Sequence, residues 1–379
     1  MKKTIICHSF PSWDAPYVKS TMELMKRLAA RHRVIIIDYH YTWKDLFTCK
    51  YAPKKALLGL KNRWRKLNTR FGEVEIYNTP PVIPVNWINN QKLFKLVAGI
   101  NAWLLRNTFR RIQKRISSEE TVLVNAFNPV YGLLTDKTWD VSQKIYYCYD
   151  EISGTNWSSK WGSVFEEQYM KKVDRVITTS SKLRSVKGDS NPECHLVKNG
   201  VDLDIFQEPQ LTKSKNRVIG YVGAVDDRID AELVKMLAGR LTEYQFRFIG
   251  PVKSAEHLSY WSSVPNIECI GAVDQALLPA MINKMDLCII PFVQNELTAA
   301  IYPLKINEYL AMGKPVVSTG FADLSDFKSL IAVAEDTNSF EQLIERELKG
   351  NTRLRIQKRI KFAKQNSWES RAEEFAAYL

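Results

Sequence analysis

Residues 291–319, PFVQNELTAAIYPLKINEYLAMGKPVVST, decide how this chain is read: they parse as a strand end, a loop, a helix over 303–312, a turn and a second strand. Pro303 stands where a helix starts and its missing N–H costs nothing, and Gly313 stands just past the end, where a left-handed residue is cheap. Upstream, Thr298, Ala299 and Ala300 are small, so a ligand can approach the helix N-terminus, whose unsatisfied N–H groups and dipole favour an anion. A phosphate is the expected guest. Lys305, in the first turn, opposes the macrodipole unless it leans on that same anion. Glu308 shares its face three residues on; as a bare surface pair the two contribute only about 0.2–0.5 kcal/mol.

Working outward, apolar runs at 218–223, 246–250, 267–271, 287–291 and 331–334 alternate with helical patterns, and 4–9, 34–38, 121–127, 144–149 and 173–179 do the same in the first half. This spacing predicts an α/β chain with parallel sheets wound on both faces, binding ligands at the carboxyl edges of the strands. With 379 residues, two domains of about 150–190 residues are expected: 1–186, 187–355 after the polar run KGDSNP, and a closing helical segment 356–379.

PLKINEYLAMGKPVVST resembles the nucleotide-sugar motif of GT-B glycosyltransferases, particularly glycosyltransferase family 4, and looks like cell-envelope members such as teichuronic-acid enzymes. The resemblance implies two Rossmann-like doubly wound domains facing a cleft. It implies a retaining, metal-independent transfer of a sugar from a nucleotide diphosphate to a hydroxyl of a membrane-proximal, lipid-linked glycan in cell-surface polysaccharide synthesis. Glu308 would then hold the ribose hydroxyls. The family's partner glutamate falls at Ala300, so the acid that contacts the sugar is unassigned and Lys305 takes part of that work. In this family a cation after the first strand of the nucleotide domain meets the pyrophosphate; behind Gly223 the usual arginine position is Ala224, and Arg228 is the candidate. A guanidinium fork suits phosphate oxygens, although pairing with Asp226, Asp227 or Asp230 is an equally open use. The backbone near Ile270 and Ala272 would bond the base, and NGVD at 199–202 resembles the turn opening the nucleotide domain. The last helix would return to the first domain, pinned by Trp368. Related enzymes place a histidine near where Asn125 and Asn128 fall; this chain has none there in sequence.

On the acceptor side, the loop 10–16 after the first strand carries Trp13 and Asp14, which either line a pocket or pack the loop. Asn128, Asp150 and Glu151 follow strand ends, and the two acids either touch an acceptor hydroxyl or cap the next element. Asp150 joins Arg228 and Lys305 as a candidate for catalysis. The loop after the first strand lacks G-x-G-x-x-G, which argues against a nicotinamide or flavin cofactor. Six cysteines without C-x-x-C and five histidines without H-E-x-x-H argue against metal, and Asp202-Leu203-Asp204 lies in the NGVD turn without a second acidic cluster. No cofactor is expected beyond the sugar nucleotide itself.

A net charge of +13 favours anionic partners. Residues 50–70, KYAPKKALLGLKNRWRKLNTR, hold eight cations and no acid, with Leu57, Leu58, Leu60, Trp64 and Leu67 interleaved, which suits an anionic membrane surface. Residues 92–116 repeat the pattern and are equally readable as a sheet-packing helix. No apolar run reaches the roughly 18 residues of a membrane span, and the apolar start is too short for a signal peptide. A cytoplasmic, peripheral protein on the inner face of the plasma membrane is expected. Two alternatives stay open: a GT-B nucleotide-sugar 2-epimerase, and a basic nucleic-acid-binding protein, against which the chain shows no zinc pattern, RNP motif or repeat; no nucleic-acid partner is expected.

Overall fold

The computed structural model describes residues 2–15, 19–116, 120–154, 161–207 and 217–379. Pro16, the end of the expected loop 10–16, lies outside the described residues. The chain divides into two units, Met1–Lys198 with Arg371–Leu379, and Asn199–Ser370.

In the first unit the strands are β1 (Thr4–Ser9), β2 (Arg33–Ile37), β3 (Trp64–Thr69), β4 (Gly72–Tyr77), β5 (Thr121–Ala126), β6 (Gln143–Cys148), β7 (Arg175–Thr178) and β8 (Cys194–Leu196). They lie in the order β3-β4-β2-β1-β5-β6-β7-β8, parallel except for β3, which runs antiparallel on β4. β5 is buried along its whole length, as expected of a parallel strand covered on both faces. The edge strand β3 is instead half-exposed and carries Arg65 and Lys66, charges that discourage edge pairing.

The second unit holds β9 (Val218–Val222), β10 (Gln245–Ile249), β11 (Ile267–Gly271), β12 (Leu287–Ile290), β13 (Val316–Thr319) and β14 (Ala332–Ala334). All pairings are parallel, in the order β11-β10-β9-β12-β13-β14. Counted from the first strand of the sheet this is 3-2-1-4-5-6, the dinucleotide-fold order whose direction reverses between strands 1 and 4. One apolar core runs through it, built on residues such as Ile219, Phe246, Ile289, Ile306 and Val317.

Three expectations need correction. The units divide after Lys198, not 186, because the polar run 187–192 leads into β8, which pairs with β7 through Val176↔Cys194 and completes the first sheet. The closing segment also splits. Helix Arg353–Gln365 stays in the second unit, where buried Arg359 bonds Asn351 Oδ1 at 2.7 Å and Glu347 at 3.2 Å. Trp368 is in that unit too: its N–H donates to Val201 O at 3.0 Å, and a Cβ on Gly200 would lie 2.7 Å from its nitrogen, so the NGVD turn needs its glycine. Only Arg371–Leu379 joins the first unit, with Phe375 edge-on to Tyr147 at 5.6 Å and Tyr378 stacked on His195 at 4.4 Å. Finally, 50–70 is not one amphipathic segment: after a short helix, Lys54–Leu57, it becomes β3.

Candidate functional site

In the second unit the order reverses between β9 and β12, and the loops leaving both strands meet there. Arg228 O accepts from Val293 N at 2.8 Å and Pro291 O from Asp230 N at 2.8 Å. Glycine ends three neighbouring strands: Gly223 after β9, Gly250 after β10 and Gly271 at the end of β11. A Cβ on Gly250 would stand 2.0 Å from Gly223 O, while at Gly271 it would meet open space. The rim is therefore bare backbone, and Ile270 and Ala272 beside it are exposed.

Helix Leu304–Ala311 faces this rim from the β12 side. Pro303 occupies the N-cap and supplies no side-chain cap, so the first turn keeps N–H groups for an anion. Gly313 ends the helix at φ +66°. Tyr309, fully buried, accepts the Val222 N–H through its hydroxyl at 2.7 Å, locking the helix to the end of β9. Lys305 Nζ donates to Glu308 Oε2 at 3.0 Å; Glu308 is buried and the Lys305 side chain is one-quarter exposed, so this is not the solvated pair that spacing alone allows. Arg228 makes a fork with Asp226, Nε to Oδ1 and Nη2 to Oδ2 both at 2.8 Å, and its guanidinium lies 5.5 Å from the Phe292 ring centre. Burial pushes the Asp226 carboxyl up, but Arg228 outweighs it and leaves Asp226 below its usual range.

Small-residue positions upstream serve structure. Thr298 is buried, its hydroxyl donating to Val293 O at 2.6 Å and its N–H to Asn295 Oδ1 at 2.9 Å. Ala300 is 2% exposed, so the position that would carry a second carboxylate is packed away, while Ala299 is half-buried. Asp202 bonds the Asp204 N–H at 3.1 Å within its own turn.

The first sheet reverses between β1 and β5, and a cavity of about 310 Å³ opens at that edge, lined by residues that include Phe10, Tyr39, His40, Asn128 and Trp161. Beneath it lies a pair that sequence reading missed: His8 Nε2 and His40 Nε2 stand 2.6 Å apart, with His40 Nδ1 3.0 Å from Thr79 Oγ1. The signal was available, since the two histidines sit near the carboxyl ends of β1 and β2, strands that pair in parallel through His8↔Ile37. Burial holds His8 down to about 3 and His40 well below its ordinary value, so both rings are neutral. Asn125 and Asn128 do have a histidine beside them in space, with amide nitrogens 3.5 and 3.4 Å from His8. Phe127, at φ 59°, takes a left-handed turn unusual for a bulky residue and sets Asn128 at the cavity.

The remaining predicted residues lie elsewhere in this unit. Trp13 donates its N–H to Asp38 Oδ1 at 2.7 Å, and Asp14 pairs with Arg65 at 2.6 Å; both hold the loop, and neither lines the cavity. Glu151 is tied to buried Lys187 at 3.0 Å beside Glu166 at 2.8 Å; burial raises its carboxyl, and Lys187 more than reverses that. Asp150 Oδ1 accepts the Glu151 N–H at 2.9 Å. These contacts favour the capping and packing alternatives.

Of the basic tract, Arg65 and Lys66 pair with Asp14 and Glu73, Leu57 is buried, and Trp64 gives its indole N–H to Glu75 at 2.7 Å. Lys50, Lys54, Lys55 and Lys61 remain exposed with Leu58 and Leu60. The helix Gln91–Gln113 buries one stripe, including Phe94, Ala98 and Leu105, and exposes a second: Leu93, Leu96, Ile100 and Trp103. Ile100 and Trp103 share a hollow of about 350 Å³ with Trp43, Leu58 and Ile83. No helix among the described residues is long and apolar enough to cross a membrane.

Residues 216–349 match the family described as glycosyl transferases group 1, the segment that contains the β9–β12 switch and the 304–311 helix. TuaH of Bacillus subtilis (strain 168), named as a teichuronic acid biosynthesis glycosyltransferase, is 29% identical over 220 residues, spanning 52% of this chain and 55% of that protein; the match thus covers about half the length of that relative. The sucrose-phosphate synthase of Thermosynechococcus elongatus superposes with a TM-score of 0.73 at 15% identity, over 100% of this chain and 98% of the other. Anabaena HepE, solved in complex with UDP and glucose, gives 0.66 at 13% identity, over 100% and 99%. This chain therefore has the GT-B fold, and within its carboxyl-side unit residues 216–349 are similar to the glycosyl transferases group 1 family.

Proposed function

We propose that the chain moves a sugar from a nucleotide-diphosphate donor, seated on the second unit, to a hydroxyl of a lipid-linked or membrane-proximal glycan in cell-surface polysaccharide synthesis. The observation that carries this reading is the uncapped N-terminus of helix Leu304–Ala311 beside a bare-backbone strand edge at the order reversal, with Lys305 and buried Glu308 on its first turns. The diphosphate sits against the helix N–H groups. Glu308 receives the ribose hydroxyls, and the backbone at Ile270 and Ala272 faces the base.

As the bond from the anomeric carbon to the phosphate oxygen breaks, negative charge grows on the diphosphate. Lys305, Arg228 and the helix end stabilise that charge more than the ground state, which is what lowers the barrier. The acceptor hydroxyl bonds to the same face of the sugar and gives its proton to the departing phosphate, so configuration is retained and no carboxylate pair or metal is required. The pairing with Asp226 fixes the Arg228 guanidinium at the strand end.

Membrane contact is part of the proposal, and what supports it is wider than residues 50–70. The exposed stripe Leu93, Leu96, Ile100 and Trp103 supplies the apolar face, and Lys50, Lys54, Lys55 and Lys61 supply cations for an anionic, cytoplasmic leaflet. The test is calorimetry with UDP, GDP, TDP and their sugar nucleotides. Uptake of one, weakened by Lys305→Ala and by Arg228→Ala, is expected; no uptake of any would end the proposal, and unchanged turnover in both variants would remove those residues from it.

A further inference from the structure

We infer that the cavity at the β1/β5 reversal selects an uncharged, hydroxyl-bearing ring as the group next to the acceptor hydroxyl, and discriminates against uronates and phosphorylated sugars. This rests on the transferase reading above and goes further by assigning acceptor chemistry to this cavity. A quarter of the chain is charged, yet among the described residues the cavity wall contains no Asp, Glu, Lys or Arg. Its polar edges are amides, from Asn86, Asn89 and Asn128, and its broad faces are aromatic, including Tyr39 and Trp161. Amide edges with aromatic faces suit the alternating hydroxyls and C–H faces of a sugar ring. At about 310 Å³ the space stands at the lower end of small-molecule pockets, roughly 300–1,000 Å³, which fits one ring and not an oligomer.

His40, the one histidine among the described wall residues, does not supply a cation. Its two nitrogens face His8 and Thr79 at 2.6 and 3.0 Å, and it is buried. A carboxylate or phosphate placed here would lose water without gaining an opposite charge from the described wall residues, which is a large penalty. Trp161 spends its indole N–H on Ile88 O at 3.1 Å and so presents a ring face, not a donor, to the ligand.

The experiment uses the purified full chain and pairs of methyl or octyl glycosides that differ only in a 6-hydroxymethyl versus a 6-carboxylate, followed by ligand-observed NMR. Nucleotide uptake is measured separately by calorimetry. Neutral glycosides are expected to bind at least 100-fold more tightly than their uronides, Trp161→Ala to abolish the difference by weakening the neutral ligand, and Asn86→Arg to narrow it at least tenfold by placing a cation at the rim. Equal affinity, a preference for the uronide, or no glycoside uptake at all would overturn the inference. Because donor uptake is read independently, a reversed preference with intact nucleotide binding defeats only the acceptor assignment, whereas absent nucleotide binding defeats the transferase reading.

Discussion

Acidifying the protein from pH 6 to pH 4.5 tests the electrostatics of the first unit, because two imidazoles and one carboxyl there titrate in opposite senses. His8 is held down to about 3 and His40 well below its ordinary value by burial. In the unfolded chain both titrate near ~6.5. The stability they contribute is fully present above that value and is lost as pH falls, since only the unfolded chain takes the two protons. Asp38 acts in the opposite direction. Burial raises it to about 6, against the N–H donors of Trp13 and Tyr39, so the native state takes a proton below about 6 that the unfolded chain refuses until about 3.9. For these three groups the net excess is one proton on the unfolded side, so together they should lower stability by about 1.4 kcal/mol per pH unit, or roughly 2 kcal/mol over this range.

Asp38→Asn removes the compensating proton, and the slope should steepen by about 1.4 kcal/mol per unit. His8→Leu with His40→Leu should make it shallower than wild type by about 2.7 kcal/mol per unit. His32, also lowered chiefly by burial, adds to the loss in every variant and cancels in the comparison. The measurement is hydrogen exchange of first-unit amides in low urea at several pH values, which reads this unit by itself. Equal slopes in wild type and Asp38→Asn would show that Asp38 is ionised in both states, and the reasoning from burial would fail.

Other outcomes follow from single contacts. Lys305→Ala leaves buried Glu308 without its 3.0 Å partner; we expect a loss of about 1–3 kcal/mol of stability and about a hundredfold in turnover, read by urea melts and donor-dependent assay. Glu308→Gln should restore the stability of that variant without restoring nucleotide affinity. Phe375→Ala removes a fully buried ring packed on Tyr147 and should cost the first unit about 3–5 kcal/mol, with second-unit amide exchange unchanged. Trp103→Ser and Ile100→Ser alter exposed positions, so melting should shift by less than about 0.5 kcal/mol while sedimentation with anionic liposomes falls; undiminished sedimentation would place the contact elsewhere.

What the sequence disclosed, and what it hid, divides along one physical line. Local chemistry was legible: Pro303 and Gly313 bound a helix because each solves a terminus problem within a few residues, and apolar runs such as 121–126 declare fully buried parallel strands. Partner choice was not. Arg228 pairs with Asp226 two residues away, yet three nearby acids were equally eligible by spacing, and only the backbone turn selects one. Trp13, Asp14 and Glu151 occupy the loops expected of an acceptor site, but their partners, Asp38, Arg65 and Lys187, come from distant strands and helices. The same distance concealed His8 and His40, which become neighbours only because β1 and β2 pair in register. Residues 50–70 misled for a related reason: unbroken positive charge reads as a binding surface, whereas folding supplies Asp14 and Glu73 from outside the tract. The apolar face that complements the remaining lysines is carried by 93–103, whose two stripes, one buried and one exposed, overlap in a single helical pattern and separate only once the sheet claims one of them.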